Sequence, residues 1–271
     1  MQHCFLFYKN SQVSYYCSGT GPEIAICFHG YGEDGRLYHF FEKYAGDQYS
    51  FFAIDIPFHG QTQWNEGLMF TQNDLTQIIK EILTRHKREI HTLTLLGFSL
   101  GGRIALSYYQ AHSKAVKKIV LFAPDGLKVN FWYWISTQTW IGNKLFSFSM
   151  KNPGWFFTFL KMLNKLGLVN ASIFKFVNYY IGNAEARRLL YQRWVTLRKL
   201  KPDIEKIKSL IRLHTPPVRL VYGKYDRIIL PVRGEKFQKG IEAFCTVSVI
   251  NSGHQVVHEN HINQLLPALR D

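Results

Sequence analysis

The 271-residue sequence predicts a doubly wound α/β fold, a mostly parallel sheet interrupted by one inserted helical segment. Three observations point there. Short apolar runs of strand length alternate with amphipathic helical patterns through residues 1–124. The alternation stops at Asp125 and resumes at Val218. Between a strand-like run and a helical one lies Gly97-Phe98-Ser99-Leu100-Gly101, a Gly-x-Ser-x-Gly spacing suited to a sharp strand-to-helix turn.

The elements follow in order. Phe5 to Tyr8 and Val13 to Cys17, separated by Lys-Asn-Ser-Gln, read as an antiparallel opening pair. Glu23 to Phe28, Ser50 to Ile54, Thr92 to Gly97 and Val116 to Phe122 are continuous apolar runs, the pattern of strands buried on both faces. Thr71 to Lys87 carries Leu75, Ile78, Ile79, Ile82 and Leu83 on one helical face, and Leu100 to Ala111 is a helix directly after its strand. Past the interruption come a strand at Val218 to Tyr222, a helix near Val232 to Lys239, a strand at Thr246 to Ile250 and a closing helix from about Glu259 to Leu269. Strands alternating with helices imply parallel strands joined by right-handed crossovers. The domain reading is therefore a core of residues 1–124 and 218–271, with 125–217 as an inserted helical cap.

Composition narrows the classes. A 46% hydrophobic content with 20 Gly and 9 Pro excludes a disordered chain, a collagen or a coiled coil. No apolar stretch reaches 18 residues, and the Met1 to Asn10 segment lacks the pattern of a secretory leader. The four cysteines, Cys4, Cys17, Cys27 and Cys245, show no metal-ligand spacing, so a reducing, cytoplasmic setting without a metal is expected. Net charge is +14, and 15 Lys and Arg against 4 Asp and Glu fall in residues 125–217, together with 17 of the 42 aromatic residues. Such a segment makes an acidic carrier protein or an anionic membrane surface a candidate partner. Nucleic acid ranks last, since no recognition motif for it is present.

The chemistry centres on Ser99. A serine hydroxyl needs a base, and the base needs an orienting acid. His254, in Asn251-Ser252-Gly253-His254, follows the last strand and so emerges at the same carboxyl edge of the sheet as Ser99; His258 and His261 are its neighbours in sequence. Asp226 follows the preceding strand by a short turn, and Asp125, after the sixth strand, is the rival acid. The backbone N–H groups of Leu100 and Tyr31 are the candidate oxyanion donors. His29 and His59 read as turn-shaping residues. Arg103, one helical turn beyond Ser99, and the cap residues Trp132 and Trp155 are candidate substrate contacts.

These residues resemble the α/β-hydrolase superfamily. His29-Gly30 looks like its oxyanion loop, and Asp55-Ile56-Pro57-Phe58-His59-Gly60 looks like the turn after its fourth strand, with Phe58 where Gly is usual. Ser99 matches the nucleophile elbow, Asp226 the acid and His254 the base, in the chain order this fold uses. The resemblance implies an α/β-hydrolase fold with a helical cap and a serine hydrolase that needs no cofactor. The expected reaction is cleavage of an ester or thioester with an apolar acyl part. Two alternatives stand beside it: a lyase or C–C hydrolase acting on a small anionic substrate, and a ligand receptor that retains the fold.

Overall fold

The computed structural model describes residues 1–89, 92–128, 130–165 and 182–270. Its centre is an eight-stranded sheet of β1 (Gln2–Tyr8), β2 (Ser11–Ser18), β3 (Glu23–Phe28), β4 (Tyr49–Ile54), β5 (Leu93–Phe98), β6 (Val116–Phe122), β7 (Val218–Gly223) and β8 (Cys245–Ile250). The strand order is β1-β2-β4-β3-β5-β6-β7-β8. β2 runs antiparallel to both β1 and β4, and every other pairing is parallel. This is the mostly parallel α/β sheet that the sequence predicts. Every residue of β4 and β5 is buried, which explains their unbroken apolar runs, whereas the edge strands β1 and β8 mix buried and exposed positions.

Short helices α1 (Phe41–Ala45), α2 (Gln72–Arg85) and α3 (Leu100–His112) lie along the first half of this unit. Leu75, Ile78, Ile79, Ile82 and Leu83 of α2 are buried, as their spacing requires. α1 escapes the sequence reading because five residues are too short to display a helical period. Where the sequence predicts a closing helix, a 3₁₀ turn at Glu259–His261 leads into α10 (Ile262–Arg270). The Leu269 carbonyl near its end accepts hydrogen bonds from the buried Lys118 Nζ at 2.8 Å and the Tyr49 hydroxyl at 2.9 Å. Two sheet residues thus satisfy a helix-end carbonyl that would otherwise be left without a partner.

The chain divides into two compact units, residues 1–66, 70–128 and 199–271 in one and 67–69 with 129–198 in the other. The second unit is shorter than the 125–217 segment expected from sequence. Residues beyond 198 fall in the first unit because α8 (Ile204–His214) buries Ile207 and Ile211 there. α9 (Val232–Gln238) follows β7. The second unit is helical over its described residues: α4 (Phe131–Gln138), α5 (Trp140–Lys151), α6 (Gly154–Lys165) and α7 (Ala184–Thr196). Its aromatic residues form an internal cluster in which Phe146 packs on Tyr191 and Trp194, and Tyr133 packs on Trp194. Among the described residues no helix is long and apolar enough to cross a membrane.

One buried charge links the opening hairpin to α2. Asp74 closes a capping box with Thr71 and also accepts hydrogen bonds from the Tyr8 hydroxyl at 2.8 Å and Lys9 Nζ at 2.6 Å. Burial acts to raise the pKa of its carboxyl, but the hydrogen bonds from Lys9, Thr71 and Tyr8 outweigh burial and hold it at about 2. A depressed folded-state pKa stabilises the fold above the unfolded value and loses that stabilisation as pH falls through the folded one. Asp74→Asn is therefore expected to lower the urea midpoint at neutral pH, with the gap to wild type closing between about pH 4 and pH 2. A gap constant over that range would show that Asp74 acts through packing alone.

Candidate active site

The register of the sheet puts the candidate residues along one edge. β3 and β5 are parallel neighbours with Phe28 opposite Gly97, so Tyr31 and Leu100 each lie three residues beyond a paired position. β6, β7 and β8 run in the same direction, and Asp125, Asp226 and His254 follow their carboxyl ends. Ligands of open α/β sheets bind at this edge.

Ser99 sits between β5 and α3 with φ 49° and ψ −114°, a conformation that L-residues seldom adopt. Its glycine neighbours account for it. A Cβ on Gly101 would overlap the Phe28 carbonyl oxygen, and one on Gly97 would lie 2.6 Å from the Gly101 carbonyl oxygen. Backbone bonds hold the strained residue: the Ser99 N–H donates to the Phe122 carbonyl at 3.0 Å, and its own carbonyl accepts from the N–H groups of Gly102 at 2.9 Å and Asp125 at 2.8 Å. Ser99 is half-buried.

The Ser99 hydroxyl donates to His254 Nε2 at 3.0 Å, and His254 Nδ1 donates to Asp226 Oδ2 at 2.7 Å. The other Asp226 oxygen accepts the N–H groups of Ile228 at 2.7 Å and Ile229 at 2.9 Å, so both oxygens of this fully buried side chain are satisfied. His254 keeps about a fifth of its side chain exposed, at 20%. The acid and base loops meet closely because a Cβ on Gly223 would overlap the Gly253 carbonyl oxygen. Such an arrangement can move a proton from the serine oxygen to the imidazole while a buried carboxylate fixes the tautomer.

The remaining candidates have distinct places. The Asp125 carboxylate lies 3.6 Å from Arg103 Nε, with Arg103 buried, so the ion pair spans β6 and α3 and the imidazole is served by Asp226. His29 donates from Nδ1 to the Gly30 carbonyl at 2.8 Å and accepts the Ile56 N–H on Nε2 at 3.2 Å, stitching the loop after β3 to the loop after β4. His59 donates to the Pro57 carbonyl at 3.0 Å. Phe58 adopts φ 63°, the left-handed conformation that explains why Gly is usual there. Leu100 opens α3, where a helix leaves its first N–H groups available. Trp132 and Trp155 belong to α4 and α6 of the second unit, and both are exposed.

Sequence reasoning missed three features. Glu33 Oε2 accepts the Gly30 N–H at 3.1 Å, beside His254 and Gln255, within a loop that has no periodicity to mark it. Ile228 and Leu230, in the turn that carries Asp226, are exposed apolar residues hidden in a short loop. Among the described residues, Cys4, Cys17 and His86 bring their ligand atoms within 4.8 Å of one another, the two Sγ atoms being 3.3 Å apart. The β1–β2 pairing brings the two cysteines together and the end of α2 adds His86, so no sequence spacing announces the group.

The sheet order and the elbow define the chain as an α/β-hydrolase. Residues 22–261 match the model of the serine aminopeptidase S33 family, and the chain belongs to that family. The hydrolase YugF of Bacillus subtilis is 22% identical over 243 residues, covering 88% of this chain and 86% of the relative. A thermophilic esterase from Thermogutta terrifontis superposes with a TM-score of 0.68 at 16% identity, over 100% of this chain and 97% of that one. The thioesterase domain of the curacin biosynthetic pathway does so with a TM-score of 0.64 at 15% identity, over 99% of both chains. The protein is an enzyme of the α/β-hydrolase type.

Burial raises the Glu33 carboxyl pKa, opposed by the Gly30 and Gln255 hydrogen bonds and by His254. A raised folded-state value favours the neutral acid, so its stabilisation is complete below the unfolded value and is lost as pH rises through the folded one. Glu33→Gln, which cannot ionise, should gain Tm relative to wild type as pH is raised from about 4 to about 8. A difference independent of pH, read by calorimetry, would remove the charge from this account.

Proposed function

We propose that the protein is a serine hydrolase that cleaves carboxylic esters or thioesters with an apolar acyl part. The observation that carries this reading is the pair of distances joining Ser99 Oγ to His254 Nε2 at 3.0 Å and His254 Nδ1 to Asp226 Oδ2 at 2.7 Å. Ser99 Oγ attacks the carbonyl carbon while its proton passes to His254 Nε2. The Tyr31 and Leu100 N–H groups stabilise the oxyanion. The intermediate collapses, the bond to the leaving oxygen or sulfur breaks, and His254 protonates the departing alcohol or thiol. Water then attacks the acyl-enzyme with His254 as base, which releases the carboxylic acid and restores Ser99. Asp226 accepts the Nδ1 hydrogen bond throughout and holds the imidazole in place.

The apolar acyl part is argued from the Asp226 turn, where Ile228 and Leu230 offer exposed apolar surface beside the acid. Arg103 is assigned a positioning role, since its charge lies against Asp125 at the base of the elbow.

The test is a series of p-nitrophenyl esters from acetyl to palmitoyl. Turnover should rise with acyl length to an optimum beyond acetyl and vanish in Ser99→Ala. Asp226→Asn should lower kcat by on the order of 10⁴, and Asp125→Asn by less than about tenfold. Turnover surviving in Ser99→Ala, or the reverse ranking of the two aspartates, would contradict the assignment.

A further inference from the structure

We propose that the outer face of α5 docks the protein onto a bilayer containing anionic phospholipid. This helix has two apolar faces. One serves the second unit itself: Phe146 packs against Tyr191 and Trp194, and Ser149 is buried. The other points to solvent, with Trp140 70%, Ile141 72%, Leu145 52% and Phe148 53% exposed. Positions 140, 141, 144, 145, 148 and 151 share one side of a 3.6-residue helix, so Lys144 and Lys151 border the same apolar strip. Lys144 Nζ lies 3.9 Å from the centre of the Trp140 ring. Phe148 also meets Trp155, the second residue of α6, at 6.4 Å between ring centres, which continues the apolar surface onto the next helix. Exposed Phe159 and Met162, with Lys161 and Lys165, extend it along α6.

Charge selects the occupant. From Gly126 to Ala184 the sequence has six lysines and no aspartate or glutamate. A face built for another protein's apolar patch would gain specificity from charges of both signs, whereas a surface of one sign attracts a broad anionic one. Aromatic residues and lysines side by side on a helix lying in the plane of the surface suit the headgroup boundary: rings and aliphatic side chains enter the acyl region while ammonium groups stay at phosphate level. No spanning helix is required for this attachment. The proposal does not rest on the catalytic reading, because it uses none of Ser99, His254 and Asp226.

Co-sedimentation tests it, using the 271-residue protein with sucrose-loaded vesicles of phosphatidylglycerol and phosphatidylcholine in equal parts, against vesicles of phosphatidylcholine alone. The Ser99→Ala protein is run in parallel to separate docking from turnover. Both forms should partition onto the anionic vesicles at about 0.05 M salt and lose about tenfold or more in apparent affinity at about 0.5 M salt or on neutral vesicles. The Trp140→Ser/Phe148→Ser variant should lose about tenfold on anionic vesicles while keeping the wild-type Tm and the wild-type rate on a soluble acetyl ester. Lys144→Gln/Lys151→Gln, which leaves the apolar face intact, should weaken binding at low salt and converge with wild type at high salt. Wild-type protein left in the supernatant with anionic vesicles would overturn the proposal. So would unchanged binding of the α5 variants, or a self-associated wild type that becomes monomeric in Trp140→Ser/Phe148→Ser without any lipid effect.

Discussion

The approach of Gly101 to the carbonyl oxygen of Phe28 is the contact on which the rest of the site depends. No side chain fits between them, so the start of α3 can lie directly against the end of β3. The Phe28 carbonyl is itself held by the Tyr38 hydroxyl at 2.9 Å. That approach tightens the turn between β5 and α3 and leaves Ser99 at a positive φ, at a cost of about 1–3 kcal/mol that the surrounding backbone bonds must offset. The same bonds carry the geometry outward. The Ser99 carbonyl accepts the Asp125 N–H, which fixes the exit of β6 against the elbow, and the Asp125 side chain then meets Arg103.

A second glycine contact completes the constellation. Gly223 ends β7 and lies against the Gly253 carbonyl, so the loops bearing the acid and the base are drawn together without an intervening side chain. The two contacts act on different strands yet converge on one imidazole. Asp226 reaches it from β7, Ser99 from β5, and His254 supplies it from beyond β8. Parallel strands make this possible, since all three loops leave the sheet at one edge. The antiparallel hairpin β1–β2 carries none of these three residues; Ser14 of β2 holds the loop after β4 by donating to Asp55 Oδ2 at 2.7 Å, and the hairpin is anchored to α2 through Asp74.

Much of the fold is legible in the sequence, and the reasons are particular. The central strands are buried on both faces, so their apolar runs stand out, and α2 shows its buried stripe from Leu75 to Leu83. Spacing alone puts Ser99, Asp226 and His254 at the carboxyl ends of their strands: Ser99 directly follows β5, Asp226 follows β7 by Lys224-Tyr225, and His254 follows β8 by Asn251-Ser252-Gly253. Features built by distant parts of the chain were not readable. Cys4 and Cys17 meet through the β1–β2 pairing and are joined by His86 from the end of α2, and Glu33 turns back onto Gly30 within an irregular loop. α8 looked like part of the inserted segment because it lies before β7 in sequence, yet its buried Ile207 and Ile211 belong to the first unit. Of the two acid-bearing positions the sequence favours Asp226 over its rival Asp125, and in the structure Asp226 Oδ2 lies 2.7 Å from His254 Nδ1 while Asp125 lies against Arg103.

The most direct measurement of the central claim, that the strained residue at the elbow is an activated nucleophile, is peptide mapping by mass spectrometry after reaction with a fluorophosphonate. The account predicts a single phosphonyl adduct on Ser99, formed quickly in the wild type and slowed by orders of magnitude in His254→Ala. An adduct on another residue, no adduct in folded wild-type protein, or equal labelling without the imidazole would contradict it.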